Sequence, residues 1–176
     1  MKFALVVFLF AASAFAQNPI TVAKAACGPE KVSFDVDKDD TQHTLTLPEP
    51  GKARLYFLMD SGASYSLAYP TVKLGMDGAW LGANHDDSYF SVSIEPGEHH
   101  LCAASQSSVT ADLFELAHFT AEAGKVYYYR TRFILAQNLQ YLELTPIDSD
   151  QGKYLIAATP LSISTPKGKP HKVKHQ

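Results

Sequence analysis

The sequence lacks the patterns that most often identify an enzyme. Its 176 residues contain no phosphate-binding Gly-rich loop, no dinucleotide fingerprint and no Ser-His-Asp order. After residue 16 there is also no stretch near the roughly 20 consecutive apolar residues that a membrane-spanning helix needs. These absences predict a non-enzymatic protein with no catalytic residue, no cofactor and no transmembrane segment.

Positive charge is scarce in the body of the chain. The 15 basic and 18 acidic side chains give a formal net charge of −3. Four of the lysines, Lys167, Lys169, Lys172 and Lys174, lie in a C-terminal tail that carries no acidic residue. The rest of the chain is therefore more acidic than the whole, which disfavours a nucleic-acid partner.

The N-terminus, by contrast, has the features of a signal peptide. Lys2 precedes an unbroken apolar run over residues 3–12, and small residues flank Phe15 just before the polar Gln17. We expect cleavage after Ala16 and a mature protein that is secreted or periplasmic.

Two cysteines occur, Cys27 and Cys102, and export would keep them in an oxidising compartment. A disulfide between them would close a loop of about 75 residues, which stabilises by about 4 kcal/mol on the chain-entropy model. Lipidation of Cys27 is the alternative, because the small residues Ala25 and Ala26 precede it.

Alternating apolar and polar residues, separated by turn dipeptides, dominate residues 31–163. Two strand-turn-strand units stand out, residues 72–82 around Asp77-Gly78 and residues 90–103 around Pro96-Gly97. Residues 53–59 are nearly all apolar, which is typical of a central strand. Further strands are predicted at residues 32–36, 45–47, 114–121, 126–135 and 141–145, with a last edge strand at 161–164.

This pattern predicts an all-β fold, an antiparallel β-sandwich of the immunoglobulin or prealbumin kind, with a closed barrel as the alternative. One short C-terminal helix is expected after Asp148, which can cap it, with Tyr154, Leu155 and Ala158 on one side and Gly152 as an unfavourable residue. The expected organisation is a signal peptide at 1–16, an extended lead-in at 17–30, one sandwich domain at 31–163 and a disordered basic tail at 164–176.

An ordered set of turn motifs between residues 51 and 146 resembles a known family. The motifs are Gly51-Lys52-Ala53-Arg54-Leu55-Tyr56-Phe57, Met76-Asp77-Gly78 with Leu81-Gly82, Tyr89-Phe90, Pro96-Gly97-Glu98-His99 with Cys102, and Ala123-Gly124-Lys125-Val126-Tyr127-Tyr128. Together they resemble the bacterial secreted family called domain of unknown function 2846 and, more loosely, envelope repeats built on a Pro-Glu-Gly-Ala type turn. The resemblance implies a secreted or envelope β-domain with no established catalytic residue.

One segment resembles the active-site strand of aspartic peptidases. Residues 57–64 deliver Asp60 from an apolar strand into Ser61 and Gly62. That chemistry needs two carboxylates that share a proton, so a chain with one such segment would have to act as a homodimer. A strand that ends in an Asp-Ser-Gly turn explains the same residues and is the interpretation we favour.

Five histidines could offer imidazole to a metal ion, namely His43, His85, His99, His100 and His118. Adjacent residues of a strand point to opposite faces, so His99 and His100 cannot both reach one ion without a bulge. We therefore predict isolated surface histidines and no metal site.

The strand predicted at residues 126–135 is the most aromatic and carries a candidate binding face. One side of this strand carries Tyr127, Tyr129 and Phe133. The other side carries Tyr128, Arg130 and Arg132. If the arginine side is exposed, Tyr128 forms a flat platform beside the two arginines that can stack on sugar rings or peptide groups. Tyrosines at a sheet margin with their hydroxyls in water are the simpler explanation.

Taken together, these observations predict an exported, non-enzymatic β-sandwich that serves as a binding or structural module of the bacterial cell envelope. Its partner would be an envelope protein or a glycan. A homodimeric aspartic peptidase that uses Asp60 and a carbohydrate- or peptide-binding module are the alternatives.

Overall fold

The computed structural model describes residues 25–60, 71–107, 113–136 and 139–168. These residues form ten β-strands and a ten-residue helix, α1 (Ser149–Ala158). The strands are β1 (Phe34–Asp39), β2 (Ala53–Met59), β3 (Thr71–Met76), β4 (Ala79–His85), β5 (Ser88–Ile94), β6 (Gly97–Ser105), β7 (Phe114–Ala121), β8 (Val126–Ala136), β9 (Leu139–Pro146) and β10 (Leu161–Pro166).

The strands make two sheets. Sheet A has six strands in the order β1-β10-β5-β2-β8-β9, and sheet B has four in the order β4-β3-β6-β7. Most neighbours are antiparallel, but β2–β8 and β10–β5 are parallel. Neither sheet closes on itself within the described ranges. The all-β sandwich is therefore confirmed, and the closed barrel is wrong.

The main core lies between the sheets, and β2 is its central strand. β2 pairs with β5 on one side and with β8 on the other, as its apolar run predicted. Its alternate residues Ala53, Leu55, Phe57 and Met59 face sheet B and are fully buried. The ring of Phe57 lies 5.3 Å from that of Phe90 on β5. Each large apolar side chain buried this way contributes about 1.5–3 kcal/mol.

A second, smaller core lies on the outer side of sheet A, beneath α1. It consists of Tyr56, Leu58, Tyr89, Tyr128 and Ile156. The aromatic rings of Tyr56 and Tyr128 stack with centroids 5.5 Å apart. Where these residues lie, the outer side of sheet A is thus not exposed to solvent but is covered by a third layer.

The helix α1 is confirmed, but its packed side is not the predicted one. Asp148 caps it as expected, since its carboxylate accepts from the N–H groups of Asp150 and Gln151 at 2.9 Å. Gly152 is buried against Tyr128, whereas Tyr154 is 71% exposed. A Cβ atom at position 152 would overlap the ring of Tyr128. The glycine that weakens this helix intrinsically is the residue that lets it dock.

Of the two predicted hairpins, the first is confirmed and the second is wrong. β3 and β4 pair antiparallel around Asp77 and Gly78, whose φ angles of 51° and 82° fit a type I′ turn. β5, however, pairs within sheet A and β6 within sheet B. The Pro96-Gly97 turn therefore carries the chain from one sheet to the other.

Three expectations differ at the margins of the domain. Residues 45–47 form no strand; they cross the outer side of sheet A, where the hydroxyl of Tyr56 donates to the carbonyl of Thr46 at 3.1 Å. β10 is not an edge strand, because it lies between β1 and β5. It also extends to Pro166, so the tail cannot begin at residue 164. The predicted signal peptide at 1–16 and most of the tail lie outside the described residues.

Candidate functional site

Cys27 and Cys102 form the predicted disulfide, with their Cα atoms 5.1 Å apart. Cys102 lies on β6 opposite Gly75 of β3, on the outer side of sheet B. The bridge therefore fastens residues 25–33 across this sheet before the chain enters β1 in the other. A Cys27 held in this bond has no thiol left to accept a lipid.

Polar side chains of sheet B hold the same segment by its backbone carbonyls. The indole N–H of Trp80 donates to Pro29 at 2.8 Å, and the ammonium of Lys73 donates to Val32 at 3.0 Å. The Lys73 ammonium also lies 4.4 Å from the centre of the Trp80 ring. Burial lowers the pKa of Lys73. These contacts hold the chain at Pro29 and Val32 against the outer side of sheet B.

The predicted binding face of Tyr128, Arg130 and Arg132 lies on the outer side of sheet A, but it forms no aromatic platform. Tyr128 is only 5% exposed because α1 covers it, and this burial raises the pKa of its hydroxyl. The idea of Tyr128 as a stacking surface is therefore wrong. On the strands of this side, Tyr141 of β9 is 49% exposed and pairs across from Ile134.

The two arginines differ in their contacts. The guanidinium of Arg132 donates to the carboxylate of Asp60 through Nε at 3.1 Å and also through Nη2. Among the described residues, Nε of Arg130 is buried without a hydrogen-bond partner. Arg132 thus secures the end of β2, while Arg130 is not committed to a carboxylate.

Asp60 follows β2, as the sequence predicted, and its backbone N–H donates to Thr131 at 3.2 Å. An aspartic peptidase would bring a second carboxylate to it, whereas the guanidinium of Arg132 occupies this place within the chain. The homodimer hypothesis concerns a second copy and stays a prediction.

The histidines are dispersed, and no three His, Cys, Asp or Glu side chains converge in the part of the chain that the structure describes. His99 and His100 point to opposite sides of β6, as expected. The ring of His100 faces that of His118 on β7 at 6.4 Å.

The ring of His99 is held between two acceptors, the carboxylate of Asp77 at 2.7 Å and the carbonyl of Glu95 at 2.8 Å. Burial opposes its charge, but these bonds and the charge of Asp77 outweigh it and raise the pKa of His99. The reverse holds for the carboxylate: burial opposes its charge too, yet bonds from His100 and His99 lower the pKa of Asp77. The pair therefore locks the β3–β4 turn onto β6.

A feature that the sequence did not reveal is a cleft of about 370 Å³ in sheet A, between β5 and β10. Its apolar lining comes from both cores: Leu81, Phe90 and Val92 belong to the main core between the sheets, and Leu161 packs against the second core on the outer side of sheet A. Hydroxyl and amide groups line its walls, from Gln42, Thr44, Thr46, Ser91, Ser162 and Ser164. None of the described residues that line it is charged. Its volume lies within the range of about 300–1,000 Å³ that is usual for ligand sites.

The cleft exists because β10 turns away from β5. Among the described strands, β10 pairs with β5 only where Leu161 meets Tyr89. Beyond that point two serines bind the edge of sheet B: Ser162 donates to the carbonyl of Ala83 at 2.7 Å, and Ser164 accepts from its N–H at 3.2 Å. β5 remains in sheet A with β2, so a seam opens between the two strands.

The opening leaves backbone groups of β5 without a strand partner. The N–H of Tyr89 donates to Pro160 at 3.0 Å, on the side of the cleft. Backbone groups of alternate residues point the same way in a strand, so those of Ser91 and Ser93 point there too. No strand in the described ranges pairs with them.

The sequence did contain a trace of this site. Serines alternate with aliphatic residues at 91–93 and again at 162–164, and the cleft lies between these two stretches. Alternation predicted a strand at each place. It could not predict that two segments about 70 residues apart would lie side by side.

Comparison with known proteins leaves the function open. No family model matches the chain, and no solved structure matches it. The chain is 24% identical over 145 residues to a protein of Haemophilus influenzae described as uncharacterized, an alignment that covers 82% of this chain and 81% of the relative. This identity is too low to show the family, so the resemblance noted above stays a prediction. Within the described ranges, no helix has the length and apolar character needed to cross a membrane.

Proposed function

We propose that this protein is an exported, non-enzymatic β-sandwich of the bacterial cell envelope that binds its partner in the cleft between β5 and β10. The signal-peptide pattern of residues 1–16 supports export. The Cys27–Cys102 disulfide supports it independently, since such bonds persist in oxidising compartments.

The cleft is the observation that carries the binding role. A concave site with an apolar floor and a few oriented polar groups is the usual form of a ligand site. Its lining offers hydroxyl, amide and backbone groups rather than charge. Such a site favours a neutral ligand, such as a peptide segment or a sugar, over a nucleic acid or a strongly charged molecule.

Export and binding are tested together by photo-crosslinking in cells. A benzophenone amino acid at Thr44 lies at the cleft, whereas the same group at the exposed Thr120 lies on sheet B and serves as the matched control. We expect a cleft-specific adduct from position 44, and an N-terminus at Gln17 in the purified protein. An adduct that forms equally from both positions, or from neither, would contradict the proposal.

A second candidate surface is the outer side of β8 and β9. Tyr141 is exposed there, and Arg130 has no carboxylate partner among the described residues. The ring of Tyr141 can stack on a sugar ring or a peptide group, and Arg130 lies on the same side of the sheet, four residues before the Tyr141 pairing position on β8. Tyr141→Ala would abolish glycan retention on an array if this surface were the binding face, and equal retention by both proteins would exclude it.

A further inference from the structure

We infer that the ligand of the cleft is an extended peptide segment that joins sheet A as an added strand along the free edge of β5. This inference rests on the proposed function, because it names the ligand class for the same site. It concerns two residues above all: Ser91, which lines the cleft, and Ser93, whose backbone N–H and C=O groups lie on the same edge of β5 two residues farther along.

The free edge follows from the pairing of β5. On the side of β2 it forms seven residue pairs, from Ala53 with Ile94 to Met59 with Ser88. On the other side the pairing stops after Tyr89, as far as the described strands go. Unpaired backbone groups are strong donors and acceptors, and a row of them at a sheet edge is a template for another strand. An extended peptide satisfies such an edge directly.

β10 cannot close the seam, because its contacts hold it elsewhere. It pairs with β1 over six residues, from Leu161 with Asp39 to Pro166 with Phe34. Its serines Ser162 and Ser164 are bound to Ala83 of β4. The edge of β5 is therefore kept open because β10 is hydrogen-bonded to β1 and β4, as a preformed site requires.

The residues on the two sides of the cleft indicate which side chains the peptide should carry. A strand added to β5 places alternate side chains on the two sides of sheet A. On the inner side they would meet Phe90, Val92 and Leu81, and on the outer side Thr44 and Thr46. A segment that alternates aliphatic with small polar residues fits both sides. The uncharged lining disfavours acidic or basic side chains at the centre of the segment.

A strand fits the edge better than a sugar does. Ser91 and Ser93 lie about 7 Å apart, which is the two-residue repeat of an extended chain. A peptide repeats its backbone donor and acceptor at this interval, so it can pair with both serines at once. Sugar hydroxyls could bond the serine and threonine side chains of the walls, but they have no such backbone repeat.

The experiment uses the exported full chain, labelled with 15N, and a capped peptide of alternating threonine and valine, acetyl-Thr-Val-Thr-Val-Thr-amide. We expect hydrogen exchange at the Ser91 and Ser93 amides to slow by about tenfold or more at saturating peptide, because both amides become hydrogen-bonded. The matched control is the same peptide with two consecutive backbone nitrogens methylated. This peptide keeps its side chains, but whichever of its edges faces β5, one backbone N–H on that edge is replaced by N-methyl. We therefore expect no slowing of exchange at Ser91 and Ser93.

Two variants of the protein test the backbone hydrogen bond between Ser91 and the peptide. Ser91→Pro removes the outward N–H, and proline is tolerated where the missing N–H lies on a free strand edge. Ser91→Ala removes only the hydroxyl and keeps the N–H. We expect Ser91→Pro to lose binding of the peptide, and Ser91→Ala to bind within about threefold of the parent, since backbone pairing gives the affinity. The methylated peptide decides the question if Ser91→Pro does not fold.

A neutral N-acetylglucosamine trimer completes the design. Binding of the peptide, abolished by methylation and by Ser91→Pro, supports the inference. Binding of the sugar at the cleft with none of the peptide would overturn it and leave the proposed function standing. Equal binding of the methylated peptide would also overturn it, because the backbone donor would then be irrelevant. If neither probe binds and position 44 gives no specific adduct, the inference and the proposed function fall together.

Discussion

The two edges of β5 differ in almost every respect. Toward β2, all seven residues of the strand are paired, and Phe90 lies against Phe57 in the main core. Toward β10, pairing in the described chain ends at Tyr89, and the strand borders a cleft walled by hydroxyl groups. One strand can therefore support stability through one edge and leave the other free for recognition.

The largest effect is expected from the closed edge. Phe57→Ala removes a fully buried ring that packs on Phe90, so we expect a loss of about 3–5 kcal/mol of unfolding free energy. Ser91→Ala, on the open edge, should stay within about 0.5 kcal/mol of the parent. Urea unfolding of both variants measures the difference. A loss for Ser91→Ala as large as that for Phe57→Ala would remove the distinction between the edges.

The disulfide should affect stability without affecting the open edge. Replacing Cys27 and Cys102 by serine releases a loop of 75 residues, and we expect about 2–4 kcal/mol less stability. The bridge lies on sheet B, so the slowing of hydrogen exchange that the peptide probe causes at Ser91 should persist in the folded variant. Loss of that protection in a folded protein would show that the two regions are coupled.

Gly152→Ala acts on the outer side of sheet A, where α1 packs on Tyr128. In an isolated helix this change stabilises by about 1 kcal/mol. On this protein the added methyl group overlaps the ring of Tyr128, so we expect destabilisation of about 1–3 kcal/mol instead. Thermal unfolding beside the exposed control Lys153→Ala measures it. A raised melting temperature for Gly152→Ala would show that α1 does not dock as described.

Ser162→Ala acts at the open edge of β5, where β10 turns away toward β4. It removes the hydroxyl that donates to the buried carbonyl of Ala83, and we expect a loss of about 1 kcal/mol. Because this bond holds β10 away from β5, affinity for the peptide probe should fall as well. Ser149→Ala, at an exposed hydroxyl on α1, is the matched control. Unchanged affinity for Ser162→Ala would mean that this bond does not shape the cleft.

The smallest effect should come from pH, through the turn between β3 and β4. The folded state raises the pKa of His99, so the stabilisation from its charged ring is complete below its ordinary value of 6.5 and is lost as pH rises through the raised pKa. The folded state lowers the pKa of Asp77, so its contribution is present above 3.8 and is lost as pH falls through the lowered pKa. Both contributions are therefore fully present between pH 3.8 and pH 6.5.

Unfolding measured from about pH 6 to pH 9 should therefore show a decline in stability that Asp77→Asn weakens. His118→Asn, an exposed histidine outside this pair, is the control and should keep the decline. An unchanged decline in Asp77→Asn would assign the effect to another group.

The sequence predicted what depends on short stretches of chain. Alternation located nine of the ten strands, the Asp77-Gly78 dipeptide predicted its turn, and Asp148 predicted the start of α1. What failed depends on contacts between distant segments. The alternation after Pro96 predicted a strand correctly but could not show that β6 joins a different sheet from β5. The alternation at residues 45–47 could not show that these residues have no neighbouring strand to pair with. Gly152 argued against a helix from the sequence alone, because only the folded structure shows that the ring of Tyr128 leaves no room for a Cβ atom there.

The site failed to emerge for the same reason. Neither Ser91 nor Ser162 has an unusual sequence context, and the cleft arises only because β10 enters sheet A beside β5 and then departs for β4. The predicted aromatic platform failed because a helix from outside the strand covered Tyr128. Both depend on which segments become neighbours, which local alternation does not encode.

Hydrogen exchange of the five amides from Phe90 to Ile94, in the protein without ligand, tests the division of β5 most directly. Phe90, Val92 and Ile94 direct their N–H groups toward β2 and should exchange slowly, while Ser91 and Ser93 should exchange far faster. This alternation along a single strand is the result we predict. Uniformly slow exchange across all five residues would show that the second edge is closed, and would contradict the account.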